Sequence, residues 1–320
     1  MAAPKVLVTG ANGFVGEAAV FKLLVSRDFQ PIAAVRGVSR LQGLCPVVKF
    51  DLAKPDLQPN LGDIDVVIHA AARVHIMNDD AAQTVEQFRK VNVEGTLRLA
   101  RNAAASGVRR FIFISSIKVN GEWTAPGKPF SADDLPNPLD PYGISKCEAE
   151  KALKELSHET GMDVVIIRPP LVYGPGVKAN FKNMLKWLAK GVPLPLGAVN
   201  NKRSLVAVDN LVSLIITCID HPGARNQIFL AGDGVDLSTS ELLRRLSQSI
   251  DKPSRLIPVP QRILQCAARI AGKKGIADRL FGSLQIDIKK NKELLGWVPP
   301  ADVDEALRRT VEYYQENEIK

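Results

Sequence analysis

Val6-Leu-Val-Thr-Gly-Ala-Asn-Gly-Phe-Val-Gly16 decides the reading of this 320-residue chain. Val6–Val8 is a short apolar, β-branched-rich run that reads as a buried strand. Gly10, Gly13 and Gly16 follow in the spacing G-x-x-G-x-x-G, and Glu17–Val25 continues as a helical pattern with Ala18, Ala19, Leu23 and Leu24 on its apolar side. Strand, glycine turn and helix in that order predict a dinucleotide-binding βα unit. Gly10 permits the tight turn, Gly13 lets a pyrophosphate approach the backbone, and Gly16 lets helix and strand pack closely. Asn12, Phe14 and Val15 share this turn, where free N–H groups and the helix dipole favour an anion.

Working outward, Pro31–Val35 reads as the second strand and ends in Arg36, with Arg40 close behind. In a dinucleotide fold this position meets the adenosine ribose. A carboxylate there accepts the 2′-hydroxyl of NAD, whereas Arg36 and Arg40 suit the 2′-phosphate of NADP. No Asp or Glu lies between Asp28 and Asp51, so NADP(H) is the expected cofactor, with NAD(H) open. Val47–Phe50 is a third strand, and Asp51-Leu52 after it is placed to touch adenine. Asp65–His69 is a fourth, leading into Ala70, Ala71 and Ala72, small residues that let backbone approach a cofactor. Ala81–Ala104 reads as a helix containing Asn92. Arg109–Ile114 is a strand followed by Ser115 and Ser116, Ser145–Glu159 a helix, and Val164–Ile167 a strand running to Arg168-Pro169-Pro170. Strands alternating with helices predict an α/β fold, a Rossmann-type doubly wound parallel sheet.

After residue 168 prolines and glycines gather and the alternation lapses, which predicts a smaller, mostly helical substrate domain over 168–320 beside a dinucleotide domain over 1–167. Residues 204–230, strand-like at Leu205–Val208 and Gln227–Leu230 around a helix, are expected to return to the sheet domain, and the polar tail Tyr313–Lys320 is expected to fray. The bulk composition narrows the class further. No apolar run reaches the ~18 residues of a membrane span, and no signal-peptide core precedes the first strand. Cys45, Cys147, Cys218 and Cys266 are scattered, without a C-x-x-C pair or a His partner at metal spacing, as expected of reduced thiols in a cytoplasmic protein with no metal site. The net charge of +8 permits an anionic ligand. Its scattered distribution and the few aromatic residues do not call for nucleic acid.

Three residues carry the chemistry. Ser116 falls at a strand's carboxyl end, where open α/β sheets bind ligands. Tyr142 and Lys146 lie four apart, about one helical turn. A nearby cation favours phenolate, so Lys146 is expected to lower the Tyr142 pKa and to hold the nicotinamide ribose. Tyr142 can then exchange a proton with a carbonyl oxygen as hydride moves, while Ser116 bonds the same oxygen.

Thr9-Gly-Ala-Asn-Gly-Phe-Val-Gly16, Ser115-Ser116, Tyr142-Gly-Ile-Ser-Lys146 and Arg168-Pro-Pro-Leu-Val-Tyr-Gly-Pro175 resemble the extended short-chain dehydrogenase/reductases, and more narrowly their nucleotide-sugar epimerase/dehydratase group. The resemblance implies that Ser116, Tyr142 and Lys146 form the catalytic triad, that Pro169 lies on the cofactor and that Asn92 supports the site. It also implies that Asn180 and Arg203 meet the sugar diphosphate, to which a guanidinium is suited by its paired donors, and that exposed helices beside Tyr142 pair into a homodimer. Two features depart from the pattern: Leu171 stands where many members carry asparagine, and the late Arg-Pro-Gly-Asp motif is missing, with Arg279 the nearest substitute.

The same resemblance frames the reaction. Ile117-Lys118-Val119 after the serine lacks the carboxylates of a 4,6-dehydratase. His69–His75 and Val206–Leu237 are similar to bacterial surface-polysaccharide (O-antigen) enzymes that reduce UDP-4-keto-6-deoxy-N-acetylhexosamines to UDP-N-acetylquinovosamine or UDP-N-acetylfucosamine. An NADPH-dependent 4-keto reductase of such a UDP-sugar is therefore the expected function, and a UDP-sugar 4-epimerase with retained NAD is the alternative. A reductase of small apolar ketones would waste Arg203, and a non-catalytic NADP sensor would not need Ser116, Tyr142 and Lys146. Gln261–Leu284, basic and amphipathic, reads as a helical lid over the substrate or as a membrane-surface element.

Overall fold

The computed structural model describes residues 3–74, 81–270, 278 and 280–318. Seven strands form one parallel sheet: β1 (Lys5–Thr9), β2 (Gln30–Val35), β3 (Val47–Lys49), β4 (Val66–His69), β5 (Arg110–Ile114), β6 (Asp163–Arg168) and β9 (Ile228–Leu230), in the order β3-β2-β1-β4-β5-β6-β9. Every pairing is parallel; Thr9 of β1 sits opposite His69 of β4 and Ala34 of β2. The order reverses direction between β1 and β4, which opens a crevice at the carboxyl ends of those two strands.

Both faces of the sheet are covered, as parallel strands require. Side chains alternate along each strand with period two. Val6, Val8, Ile112 and Ile167 pack with Ala19 and Leu23 of α1 (Phe14–Ser26) and with Leu211 and Ile215 of α6 (Val208–Asp220). Leu7, Phe111, Phe113 and Ile166 face the other way, against Leu99 and Ala103 of α3 (Thr96–Ala105) and Ala149 and Leu153 of α4 (Pro141–Thr160).

A second layer is built on a three-stranded sheet, in which β8 (Arg203–Ala207) lies between β7 (Leu171–Tyr173), parallel to it, and β10 (Asp236–Leu237), antiparallel. Its core gathers Phe181 and Leu185 of α5 (Ala179–Ala189), Leu242 and Leu246 of α7 (Thr239–Ser249), and Leu307 and Val311 of the C-terminal helix Val303–Glu318. Of the two strands expected to rejoin the main sheet around a helix, only Ile228–Leu230 does so. The strand Arg203–Ala207 pairs instead with β7, because Leu171–Tyr173 offers it a free parallel edge. The tail is likewise more ordered than its polarity suggests: the last helix runs to Glu318 and buries Tyr314.

His69 illustrates how the core constrains chemistry. It is fully buried, its Nδ1 2.7 Å from Thr9 Oγ1 and its Nε2 3.0 Å from Thr96 Oγ1, stacked on Phe113. Burial, helped by the charge of Lys146, pushes its pKa down to about 3 from 6.5. The folded state thus refuses a proton that the unfolded chain accepts. Stability is full above pH 6.5 and falls as pH drops from there towards 3, by about 2 kcal/mol at pH 5. Urea midpoints measured from pH 7.5 to 5 should show this slope, and His69→Gln should flatten it; an unchanged slope in the variant would assign the acid sensitivity elsewhere.

Candidate active site

The glycine turn follows β1 directly. Gly10 takes φ 67°, and a Cβ on it would fall 2.7 Å from the backbone nitrogen of Ala71. A Cβ on Gly16 would fall 2.3 Å from the Gly10 carbonyl oxygen, so α1 can start this close to the turn only as glycine. The result is a cleft of about 850 Å³ along the carboxyl edge of the sheet. Gly10, Asn12, Gly13, Phe14, Val15 and Gly16 line it, as do Arg36, Asp51, Leu52, Ala70, Ala71 and Ala72; Ser116, Tyr142, Lys146 and Pro169 close the far end. Bare backbone at Gly10 and Gly13 beside the start of α1 fits a dinucleotide pyrophosphate.

The wall also takes in residues not expected there, several of them beside expected ones. Gly37, Arg73, Pro170 and Val172 are brought in because each directly follows or borders a residue of the motif.

Ser116 caps a 3₁₀ turn, Ile117–Val119, and its Oγ accepts the Lys118 N–H at 3.3 Å. The hydroxyl proton stays available to a substrate oxygen. Tyr142 and Lys146 sit on α4, which begins at Pro141, earlier than the expected Ser145. Asp140 is the N-cap, accepting the Gly143 N–H at 2.6 Å, and Pro141 occupies the first helical position. The Asp-Pro pair is the sequence signal for this earlier start. Lys118 forms ion pairs with Asp140 and with Glu122, the latter at 3.2 Å, tying the serine turn to the tyrosine helix.

Lys146 is buried, donates to Ile114 O at 2.8 Å and lies 4.3 Å from the Phe113 ring centroid. Burial pulls its pKa down to about 7, against the opposing field of Glu150. The expectation that Lys146 lowers the Tyr142 pKa is corrected here. The phenol is pushed above its ordinary value, first by burial and then by the Asp140 carboxylate. Lys146 Nζ is 6.0 Å from the phenol ring centroid and carries only part of its charge near neutrality. Tyr142 is therefore a phenol at neutral pH, with a proton to exchange at a substrate oxygen.

Other expected contacts move. Arg40 turns from the cleft to form a two-pronged ion pair with Glu17, its guanidinium 5.8 Å from the Phe21 ring centroid, which leaves Arg36 as the one of the two arginines after β2 that is on the wall. Asn92 is also off the wall. It lies in a π-helical segment, Arg89–Gly95, between α2 (Ala81–Phe88) and α3. The wider turn lets its side chain reach inward: Nδ2 donates to Ser145 Oγ at 3.0 Å and to Arg73 O at 3.1 Å, and Oδ1 accepts Arg73 N–H at 2.8 Å. Asn92 thus holds the β4 loop to the tyrosine helix. Arg203 is part-buried, donates to Gly282 O at 2.9 Å, and has its pKa lowered by burial. Arg279 and the side chain of Asn180 lie outside the described residues.

Behind this wall is a buried polar cluster that sequence reading missed. Arg168 bonds both oxygens of Glu150, at 2.9 and 2.5 Å, and Asn120 Oδ1 at 2.9 Å; Ser115 Oγ donates to Glu150 at 2.5 Å. Glu150 is one turn beyond Lys146, and Ser115 directly precedes Ser116, so one carboxylate braces three segments of the site. Among the described residues, no group of three or more His, Cys, Asp and Glu could hold a metal ion.

A Rossmann sheet with a glycine-lined cleft and a Ser, Tyr and Lys at its far end defines a nicotinamide-dinucleotide enzyme. The model of the NAD dependent epimerase/dehydratase family matches residues 6–232, and the chain belongs to that family. It is 48% identical over 311 residues to the UDP-glucose 4-epimerase of Vibrio cholerae, covering 97% of this chain and 95% of that protein. Among solved structures, the UDP-glucuronic acid 4-epimerase of Bacillus cereus with NAD superposes with a TM-score of 0.79 at 22% identity, covering 98% of this chain and 99% of that one. The UDP-glucose 4-epimerase of Thermotoga maritima with UDP-glucose gives 0.75 at 24%, again covering 98% and 99%.

Proposed function

We propose that this enzyme performs redox chemistry at C4 of a UDP-sugar, and that 4-epimerisation is its reaction. The identity of 48% to the Vibrio cholerae UDP-glucose 4-epimerase, along nearly the whole of both chains, carries this reading. A bound nicotinamide supplies hydride exchange at the sugar carbon. Tyr142 moves the proton at O4, Ser116 donates a hydrogen bond to the same oxygen, and Lys146 holds the ribose. Arg203 is assigned to the sugar diphosphate. We assign 1–167 with 208–230 to the dinucleotide domain and the remainder, including the strand Arg203–Ala207, to the sugar-nucleotide domain.

Arg36 favours a second reading, the NADPH-dependent reduction of a UDP-4-keto-6-deoxy-N-acetylhexosamine. It follows β2 on the cleft wall, where an NAD enzyme presents a carboxylate; the carboxylate that the wall does carry, Asp51, lies a strand further out. A reductase must renew its cofactor each turnover, and NADPH is the usual reductant. Incubation with UDP-glucose or UDP-N-acetylglucosamine and no added cofactor should yield the C4 epimer. Stoichiometric loss of NADPH with a UDP-4-keto sugar, and no epimer, would give the reductase instead. Neither activity would sink C4 chemistry.

Arg36→Asp should shift the ratio of NADPH to NADH affinity by roughly ten- to a hundredfold against NADPH, the range of a charge-assisted hydrogen bond. Titration of reduced-nicotinamide fluorescence reads it, and an unchanged ratio would remove Arg36 from the 2′-phosphate.

A further inference from the structure

Two stretches of the chain carry cations and no carboxylate. Residues 177–208 contain Lys178, Lys182, Lys186, Lys190, Lys202 and Arg203; residues 252–270 contain Lys252, Arg255, Arg262 and Arg269. These ten are part of the chain's 42 basic residues, and none of its 34 acidic residues falls in either stretch. The rest of the chain is therefore net negative although the whole carries +8.

The fold lays the two stretches side by side. Leu194 N donates to Arg255 O at 3.0 Å, Ile257 N to Leu194 O at 2.8 Å, and Gly197 N to Ile257 O at 3.0 Å. Lys252 reaches the Ala189 carbonyl at the end of α5. Leu264 of α8 (Gln261–Ile270) packs with Leu196 against Val199 and Phe281. Arg244 adds a further cation, donating to Gly197 O at 2.9 Å. The nearest acids along the chain are Asp209, just after the first stretch, and Asp251, just before the second.

Large apolar side chains stand out among these charges. Trp187, Val192, Ile257, Ile263 and Ile270 are between 41% and 86% exposed. They interleave with exposed Lys186, Lys190, Arg255, Arg262 and Arg269. Ile263 and Ile270 are two helical turns apart on α8, while Leu264 faces inward.

We propose that this face docks the enzyme on an anionic membrane surface, the exposed Lys186, Lys190, Arg255, Arg262 and Arg269 meeting lipid headgroups while Trp187, Ile263 and Ile270 enter the boundary of the acyl chains. Both halves of the pattern are needed for that occupant. A nucleic-acid backbone would take the cations and leave the isoleucines in water. A symmetric contact with a second copy would set this cationic face against itself.

The test is sedimentation of the full chain with vesicles of phosphatidylcholine alone or with phosphatidylglycerol added. Binding is expected only with phosphatidylglycerol, falling as salt rises. Reversing four charges in K186E/K190E/R262E/R269E should weaken it by roughly a hundredfold or more, with turnover of a soluble UDP-sugar unchanged. Ile263→Asn with Ile270→Asn, which leaves every charge in place, should weaken it by roughly tenfold or more. No sedimentation with anionic vesicles at low salt would overturn the proposal, as would binding that survives charge reversal. RNA bound as tightly as vesicles, indifferent to the isoleucine pair, would make the face a polyanion site. A self-association lost on charge reversal, with vesicles ignored, would make it a contact between copies.

Discussion

Replacing Tyr142 with Phe is expected to lower turnover by about 10²–10⁴-fold, the range that positioned proton transfer contributes, with folding and cofactor binding retained. The ring packs edge-on to Phe88, centroids 6.1 Å apart, a contact that needs no hydroxyl. The helix start is held by Asp140 and Pro141, and Lys146 is held by Ile114 O, so the variant removes one oxygen and leaves its frame. Burial and Asp140 keep the phenol protonated at neutral pH, so the lost atom is the one that carries the proton. Single-turnover absorbance of the reduced nicotinamide measures the chemical step, and its fluorescence measures binding. A wild-type rate would take Tyr142 out of the proton transfer. Lost binding would instead show that the hydroxyl builds the cleft.

Glu150→Gln should destabilise the fold by about 3–5 kcal/mol, the cost of breaking one half of a buried ion pair. Arg168 and Glu150 are both nearly inaccessible, so water cannot replace the lost charge, and the guanidinium is left in the core facing a neutral amide. The exposed ion pair of Arg89 with Glu148, a carboxylate on the same helix as Glu150, is the control: Glu148→Gln should cost far less than Glu150→Gln, since solvent screens it already. Urea midpoints compare the two. Glu150→Gln combined with Arg168→Met removes both charges and should recover part of the loss. Equal effects at positions 148 and 150 would sink the argument. The damage should also reach activity, because Arg168 leads into Pro169, whose carbonyl accepts the Ile117 N–H next to Ser116.

Much of the site was legible because its residues lie in contiguous motifs. A glycine turn is read from three residues at fixed spacing, and Tyr142 and Lys146 share a face because one turn of helix separates them. Ser116 follows from its place at a strand end. The Glu150–Arg168–Ser115 cluster was not legible. Glu150 looks like any charged residue on a helix, and its partners are 18 and 35 positions away, at the end of β6 and just past the end of β5. Arg40 was misread for a related reason: sequence places it after β2, but the ion pair with Glu17 on α1 decides where it points. The sign of the Tyr142 shift was missed because motif logic counts Lys146 and omits desolvation, which here outweighs it.

The sequence by itself determined the order of strands and helices, the parallel sheet and the dinucleotide turn, because these rest on local periodicity and on backbone freedom at glycine. It also determined which residue types could carry the chemistry. Only the tertiary structure decided which of them share a wall, that β8 belongs to the second sheet, and that two cationic stretches far apart in the chain lie side by side. Those outcomes depend on burial and on partners distant in sequence, and burial sets both the protonation of Tyr142, Lys146 and His69 and the cost of every unpaired charge.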